Sequence, residues 1–236
     1  MSEILKSYTQ VLSSRKHLLE MLEDRGYNVD HLKNFTEDEI KEIMLNHITG
    51  KFITLADIGP LDIFLEKPID NKSDKSKTET TEKIYVKYRM DSKFKGTASL
   101  TAQILEIYEK HLSTKDTLII LNLGHITMKI GVKDKVDEEY VNDLLIKKNY
   151  FVQVYGLENF KFNVSKHQFV PKHIILTKQE AQEVIKKYDC SYSNIPTIKR
   201  DDVQAKYLGL RPKQICKIIV ENVSSGVTEK YRYCVH

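Results

Sequence analysis

The stretch Leu118-Ile119-Ile120-Leu121-Asn122-Leu123 constrains this chain more than any other. It has the length of a strand, and it is apolar on both sides instead of alternating. Such a strand has no face to give to water and must be covered above and below, which is the situation of a central strand in a parallel sheet flanked by helices. The surrounding pattern agrees. Ile84, Val86 and Tyr88 alternate with polar residues over Ile84–Met90, and Tyr150–Tyr155 reads as another strand. Ala98–Leu112 and Val136–Lys148 carry helical periodicity between them. Strand, helix, strand, helix, strand predicts crossover connections and a small three-layer α/β domain with a mostly parallel sheet.

Upstream, Ile4, Leu5, Tyr8, Val11, Leu12, Leu18, Leu19 and Leu22 recur at helical spacing, and Arg25-Gly26-Tyr27 closes that helix with a glycine suited to a left-handed cap. Thr36-Glu37-Asp38-Glu39 has the form of a capping box and opens a second helix. Phe52–Leu65 is β-like and broken at Gly59-Pro60. Glu66–Lys83 is polar, mixed in charge and nearly free of apolar residues, which predicts a mobile loop.

The first domain is expected to span 1–163 and a compact α+β domain 164–236. In the second, Lys178–Tyr188 reads as the main helix, with Thr177 as N-cap and Glu180 three residues on. Gln204–Leu208 reads as a helical turn stopped at Gly209, and Ile215–Val220 and Tyr231–Val235 read as a hairpin.

Composition narrows the class. With 41% hydrophobic residues the chain can build cores. It has no apolar run of the ~18 residues a membrane helix needs. Met1–Gln10 lacks the apolar core of a signal peptide. Cys190, Cys216 and Cys234 are widely spaced and form no CxxC pair, so neither a zinc site nor a disulfide framework is expected, and a reducing compartment fits. Residues 164–236 hold 13 basic and 7 acidic residues, a net of +6, whereas the rest carries −2. The positive charge therefore sits in the second domain, where it can face nucleic acid or an acidic protein surface, or simply be solvated.

Three strings of the second domain stand out: His167-Gln168-Phe169-Val170-Pro171-Lys172-His173; Ile195-Pro196-Thr197-Ile198 followed by Asp201-Asp202 and Ala205-Lys206-Tyr207-Leu208-Gly209-Leu210; and Lys217-Ile218-Ile219 closing with Tyr231-Arg232-Tyr233. In order and spacing they resemble the small assembly subunit of archaeal RNA polymerases, which matches the C-terminal domain of the fifth common subunit of eukaryotic RNA polymerases. The resemblance implies a non-catalytic subunit of a multisubunit DNA-directed RNA polymerase. Its docking residues toward the largest subunit would include His167, Val170, Pro171, His173, Asp201, Asp202, Tyr207 and Gly209. The same residues also have local readings: the two histidines could bind a metal but more simply hydrogen-bond backbone or partner groups, Asp201-Asp202 could hold Mg²⁺ but more simply caps the following helix, and Tyr207-Leu208-Gly209-Leu210 anchors a core with a helix-ending glycine. Val203 stands where the family has proline, no glycine precedes the strand near Lys213-Gln214, and Glu221-Asn222-Val223 replaces an Arg-Pro-Ser turn.

A weaker resemblance to the eukaryotic jaw domain covers Arg15-Lys16-His17 and Arg25-Gly26-Tyr27, and it implies a lower-jaw position beside downstream duplex DNA. Arg15, Lys16, Arg25 and Lys129 are the expected phosphate contacts, weak because this domain is near neutral. His125-Ile126-Thr127-Met128-Lys129 stands where that family has a Thr-Pro-Ser-Ala turn. The resemblance further implies other polymerase subunits as partners and the nucleus as location, or a viral factory or virion for a divergent viral version.

Two alternatives accompany this reading. One is a stand-alone DNA-binding or regulatory module. The other is a degenerate metal-dependent nuclease, because Gly59-Pro60-Leu61-Asp62 followed by Ile84-Tyr85-Val86-Lys87 has the spacing of Pro-Asp…(Asp/Glu)-x-Lys enzymes. Their chemistry needs two carboxylates on Mg²⁺, and Tyr85 takes the place of one. With no phosphate-cradling glycine motif and no nucleophile elbow, no cofactor, metal, small-molecule substrate or membrane is expected.

Overall fold

A computed structural model describes residues 2–49, 59–68, 81–89, 97–122, 141–222 and 226–236. These form two compact units, Met1–Phe162 and Asn163–His236.

The first unit opens with helix α1, Ser2–Asp24. Val11, Leu18, Met21 and Leu22 on one stripe are fully buried. The helix ends at Gly26, φ +86°, where Tyr27 N–H donates to the Leu22 carbonyl and Gly26 N–H to that of Glu23. This is the left-handed cap that a side chain with a Cβ would resist. Helix α2, Glu37–Thr49, starts with a reciprocal pair: Thr36 N–H donates to Glu39 Oε2 at 2.8 Å and Glu39 N–H to Thr36 Oγ1 at 3.3 Å.

Strands β1 (Ile63–Pro68), β2 (Thr81–Arg89), β3 (Thr117–Asn122) and β4 (Phe151–Gly156) form a sheet in that order. β1 runs antiparallel to β2, and β2, β3 and β4 are parallel. All six residues of β3 are buried, as an apolar run between two parallel neighbours requires. Side chains alternate between the faces. Tyr85, Leu118, Ile120 and Val152 meet helix α3 (Thr97–Lys110) and the helical residues 141–148, α4. On the opposite face, Arg25 at the end of α1 donates to Gln153 Oε1 at 2.9 Å and Tyr155 Oη at 3.4 Å. The sheet thus lies between α1 and the α3–α4 pair.

The expected loop Glu66–Lys83 is strand at both ends. Glu66, Lys67 and Pro68 pair with Lys83, Glu82 and Thr81. The charges that argued against order satisfy one another across the strands, Lys67–Glu82 and Lys83–Glu66 each at 3.2 Å. Residues 69–80 lie outside the described residues, as do 52–58 of the β-like segment and 136–140 of the expected second crossover helix.

The second unit is a four-stranded sheet, β5 (Lys172–Ile175), β7 (Ile215–Asn222), β8 (Gly226–Val235), β6 (Thr197–Lys199), in that spatial order. Only the β6–β8 pair is parallel. Helix α5, Lys178–Lys187, lies on one face, where Ala181, Ile195 and Ile215 form a core with Tyr231 and Tyr233 against it. Helix α6, Val203–Leu208, lies on the other, its buried Ala205 packing with Leu210, Cys216 and Cys234. Beyond the expected hairpin, β5 and β6 complete the sheet.

A candidate docking surface in the C-terminal unit

The segment before β5 is held in a defined shape by its own polar groups. Asn163 Oδ1 accepts from Ser165 N–H at 3.1 Å, its Nδ2 donates to Tyr207 Oη at 3.0 Å, and Ser165 Oγ donates to Gln204 Oε1 at 2.7 Å. The turn at 163–166 is therefore fastened to α6. The next turn closes with Val170 N–H on the His167 carbonyl at 2.9 Å. His167 Nδ1 accepts the Phe169 amide at 3.3 Å, and the two rings lie 5.5 Å apart. His173 Nδ1 lies 2.7 Å from the Pro171 carbonyl. A carbonyl only accepts, so His173 carries a proton on Nδ1, whereas His167 keeps a lone pair there. Both histidines use that nitrogen to fix local backbone.

These contacts leave Phe169 81% exposed on a fixed backbone, and Val203 at the start of α6 is 61% exposed. The sequence marks neither as a docking residue. The signal for Phe169 lies in its setting, an aromatic residue between His167 and Pro171, whose neighbours constrain the backbone and leave the ring outside.

Asp202 is the N-cap of α6, its Oδ1 accepting from Gln204 N–H at 2.9 Å and Ala205 N–H at 3.4 Å. Asp201 is exposed and lies 3.4 Å from Nε of the buried Arg200. Gly209, φ +73°, ends α6, with Leu210 N–H returning to the Ala205 carbonyl at 2.8 Å. The 163–173 segment and the Asp201–Gly209 turn are thus joined through Tyr207 and Gln204. Cys216 and Cys234 beneath α6 are both pushed up to about 11 by burial.

Of the described residues expected near DNA, Arg15 and Arg25 are engaged inside the N-terminal unit and Lys16 is exposed. Arg15 is buried at 4% exposure, Nη1 donating to the Leu61 carbonyl at 3.1 Å and its guanidinium 4.7 Å from the Phe35 ring centroid. It fastens α1 to the turn before β1, and a guanidinium enclosed in that way is withdrawn from any phosphate. Arg25 is engaged with Gln153 and Tyr155. Lys16 is exposed, and Lys129 lies outside the described residues.

The nuclease-like spacing does bring its residues together. Asp62 Oδ2 accepts from Gly59 N–H at 2.6 Å, Tyr85 Oη at 2.9 Å and Lys87 Nζ at 2.7 Å, and Oδ1 accepts from Tyr88 N–H at 2.9 Å. Burial, then the neighbouring Asp62 charge, holds the Tyr85 phenol well above its usual range, so it stays a donor. The carboxylate is committed to four donors. Among the described residues no group of three or more His, Cys, Asp or Glu is placed to hold a metal ion.

The C-terminal unit thus presents a fixed turn, a capped helix and an exposed aromatic ring side by side in sequence and structure. Residues 162–234 match the family described as RNA polymerase Rpb5, C-terminal domain. The chain is 39% identical over 75 residues to DNA-directed RNA polymerase subunit Rpo5 of Archaeoglobus fulgidus, covering 32% of this chain and 99% of that protein. It is 25% identical over 223 residues to subunit RPABC1 of DNA-directed RNA polymerases I, II, and III from Caenorhabditis briggsae, covering 94% and 93%. The corresponding Dictyostelium discoideum subunit is 40% identical over 73 residues, 31% of this chain and 37% of that one. The chain belongs to the Rpb5/Rpo5 family of RNA polymerase subunits.

Proposed function

We propose that the chain is a non-catalytic subunit of a multisubunit DNA-directed RNA polymerase, docked on the largest subunit through its C-terminal unit. Likeness to a free-standing archaeal subunit over 99% of that protein's length carries this reading. The surface would be formed by the His167–His173 turn, with Val170, Pro171 and exposed Phe169, and by the Asp201–Gly209 turn fastened to it through Tyr207. A net charge of +6 over residues 164–236 favours an acidic partner surface. The N-terminal α/β unit would lie in the lower jaw beside downstream duplex DNA, with Lys16 as an exposed cation, and the working compartment would be the nucleus. Catalysis would reside in other chains. The Asp62 carboxylate, already committed to four donors and without a second carboxylate at position 85, supports that assignment.

Affinity purification of the tagged full chain tests the proposal. Stoichiometric recovery with the two largest polymerase subunits, weakened by Pro171→Ala and Tyr207→Ala, is the expected result. A monomer that never associates with polymerase overturns it.

A further inference from the structure

Strand β8 is ten residues long, yet its two neighbours cover it unequally. β7 pairs with it from Gly226 to Tyr233, whereas β6 pairs only with Tyr233, Cys234 and Val235. Backbone directions follow from the hydrogen bonds at this end. Cys234 N–H donates to the Gln214 carbonyl on the β7 side, and Tyr233 N–H donates to the Pro196 carbonyl on the β6 side. Groups alternate along a strand, so Thr228, Lys230 and Arg232 turn their N–H and C=O toward β7, and Val227, Glu229 and Tyr231 turn theirs toward the outer edge.

The β6 ladder stops for a chemical reason. In the observed register, the N–H that would reach the Tyr231 carbonyl belongs to residue 196, which is proline and has none. Before it the chain leaves the edge in the one-turn helix Tyr192–Asn194. Among the described residues, no strand covers the edge from Val227 to Tyr231.

The two faces beside this edge differ. On the α5 side stand Val227, 66% exposed, and Tyr231, whose ring lies 5.9 Å from that of Tyr188, itself 53% exposed. Glu229 on this face is engaged by Lys217 and by Tyr231 Oη, so it is neutralised locally. On the α6 side the strand presents Thr228, Lys230 and Arg232. A strand added here would place successive side chains alternately against an aromatic surface and against two cations.

We infer that the outer edge of β8, Val227 to Tyr231, is a strand-addition site for an extended acidic–apolar segment of another protein. The segment would continue the line of β6 past Pro196, exchange backbone hydrogen bonds with Val227, Glu229 and Tyr231, set apolar side chains against Tyr188 and Tyr231, and set carboxylates beside Lys230 and Arg232. The site is separate from the proposed docking turn around Phe169 and does not depend on it.

The test uses the full chain and a fluorescein-labelled peptide, Glu-Val-Glu-Phe-Glu-Val, followed by anisotropy. Val227→Pro and Glu229→Pro each remove an outward N–H at an edge that tolerates proline. Each is expected to weaken binding about tenfold with circular dichroism unchanged. Replacing the glutamates of the peptide by lysine should abolish binding. Thr228→Pro, which removes an inward donor, should disrupt the hairpin itself and marks the direction of the effect. The inference is overturned if the wild-type chain does not bind, or if binding survives both outward prolines in folded protein. It is equally overturned if the Val227, Glu229 and Tyr231 amides are already protected from hydrogen exchange in the free chain, or if sedimentation shows a dimer that Val227→Pro dissolves, since the occupant is then a second copy.

Discussion

Lys87 Nζ lies 2.7 Å from Asp62 Oδ2, and the two side chains are only 4% and 2% exposed. An ion pair so enclosed is expensive to break from one side, because the surviving charge stays buried. Asp62→Ala should destabilise the N-terminal unit by about 3–5 kcal/mol, and Lys87→Met by a similar amount. The double variant should cost clearly less than the two together, and urea unfolding of the three proteins reads that difference. Additive losses would mean that the pair does not act as a unit.

Asp202 and Gly209 bracket a helix of only six residues, so its ends decide whether it forms. Asp202→Ala should cost about 0.5–2 kcal/mol through the lost cap, and Gly209→Ala about 1–2 kcal/mol through the left-handed backbone. Hydrogen exchange of the α6 amides, compared with those of β7, checks whether the loss is local.

Phe169 offers the opposite test. A side chain 81% exposed contributes little to folding, so Phe169→Ala should leave stability within about 0.5 kcal/mol of the parent. A rigid exposed aromatic is also the kind of residue that anchors an interface, and recovery of polymerase with the tagged chain should fall about tenfold or more. Unchanged recovery would place the docking contacts elsewhere.

The cysteines give a pH prediction. The Cys216 and Cys234 thiols are held at about 11 by burial, against 9.0 for an ordinary thiol. Between these values the unfolded chain releases protons that the folded chain keeps, so stability is intact below about pH 9 and falls as pH rises toward 11. Cys216→Ala and Cys234→Ala should each flatten that alkaline loss. At pH 8 a thiol reagent should modify Cys190 in the native protein and reach the other two only on unfolding.

Much of the fold is legible in the chain because its signals are local. The unbroken apolar run at Leu118 needs burial on both faces wherever it lies, and Thr177 with Glu180, or Gly209 after Leu208, carry their cap geometry in a few consecutive residues. Strands β5 and β6 are different. At four and three residues they exist only by pairing with β7 and β8, and no local pattern announces a partner some forty residues away. Arg15 misleads for a related reason: a charge on a helix reads as solvated until the Leu61 carbonyl and the Phe35 ring are brought to it. Asp62, Tyr85 and Lys87 are legible as a group, but their hydrogen-bonded state depends on Gly59 N–H and Tyr88 N–H, which have no side-chain signature.

The crossed charges of the β1–β2 hairpin have a bearing on how this sheet edge is threaded. In the native alignment Glu66 faces Lys83 and Lys67 faces Glu82. Sliding one strand by a single residue in one direction sets Glu66 against Glu82, and sliding it the other way sets Lys67 against Lys83. Either error brings like charges together and also turns Ile63 and Leu65 out of the core. Alignment is therefore encoded in the paired strands themselves: the charges at 66, 67, 82 and 83 act as a key that admits one threading of the sheet edge and rejects its two nearest neighbours.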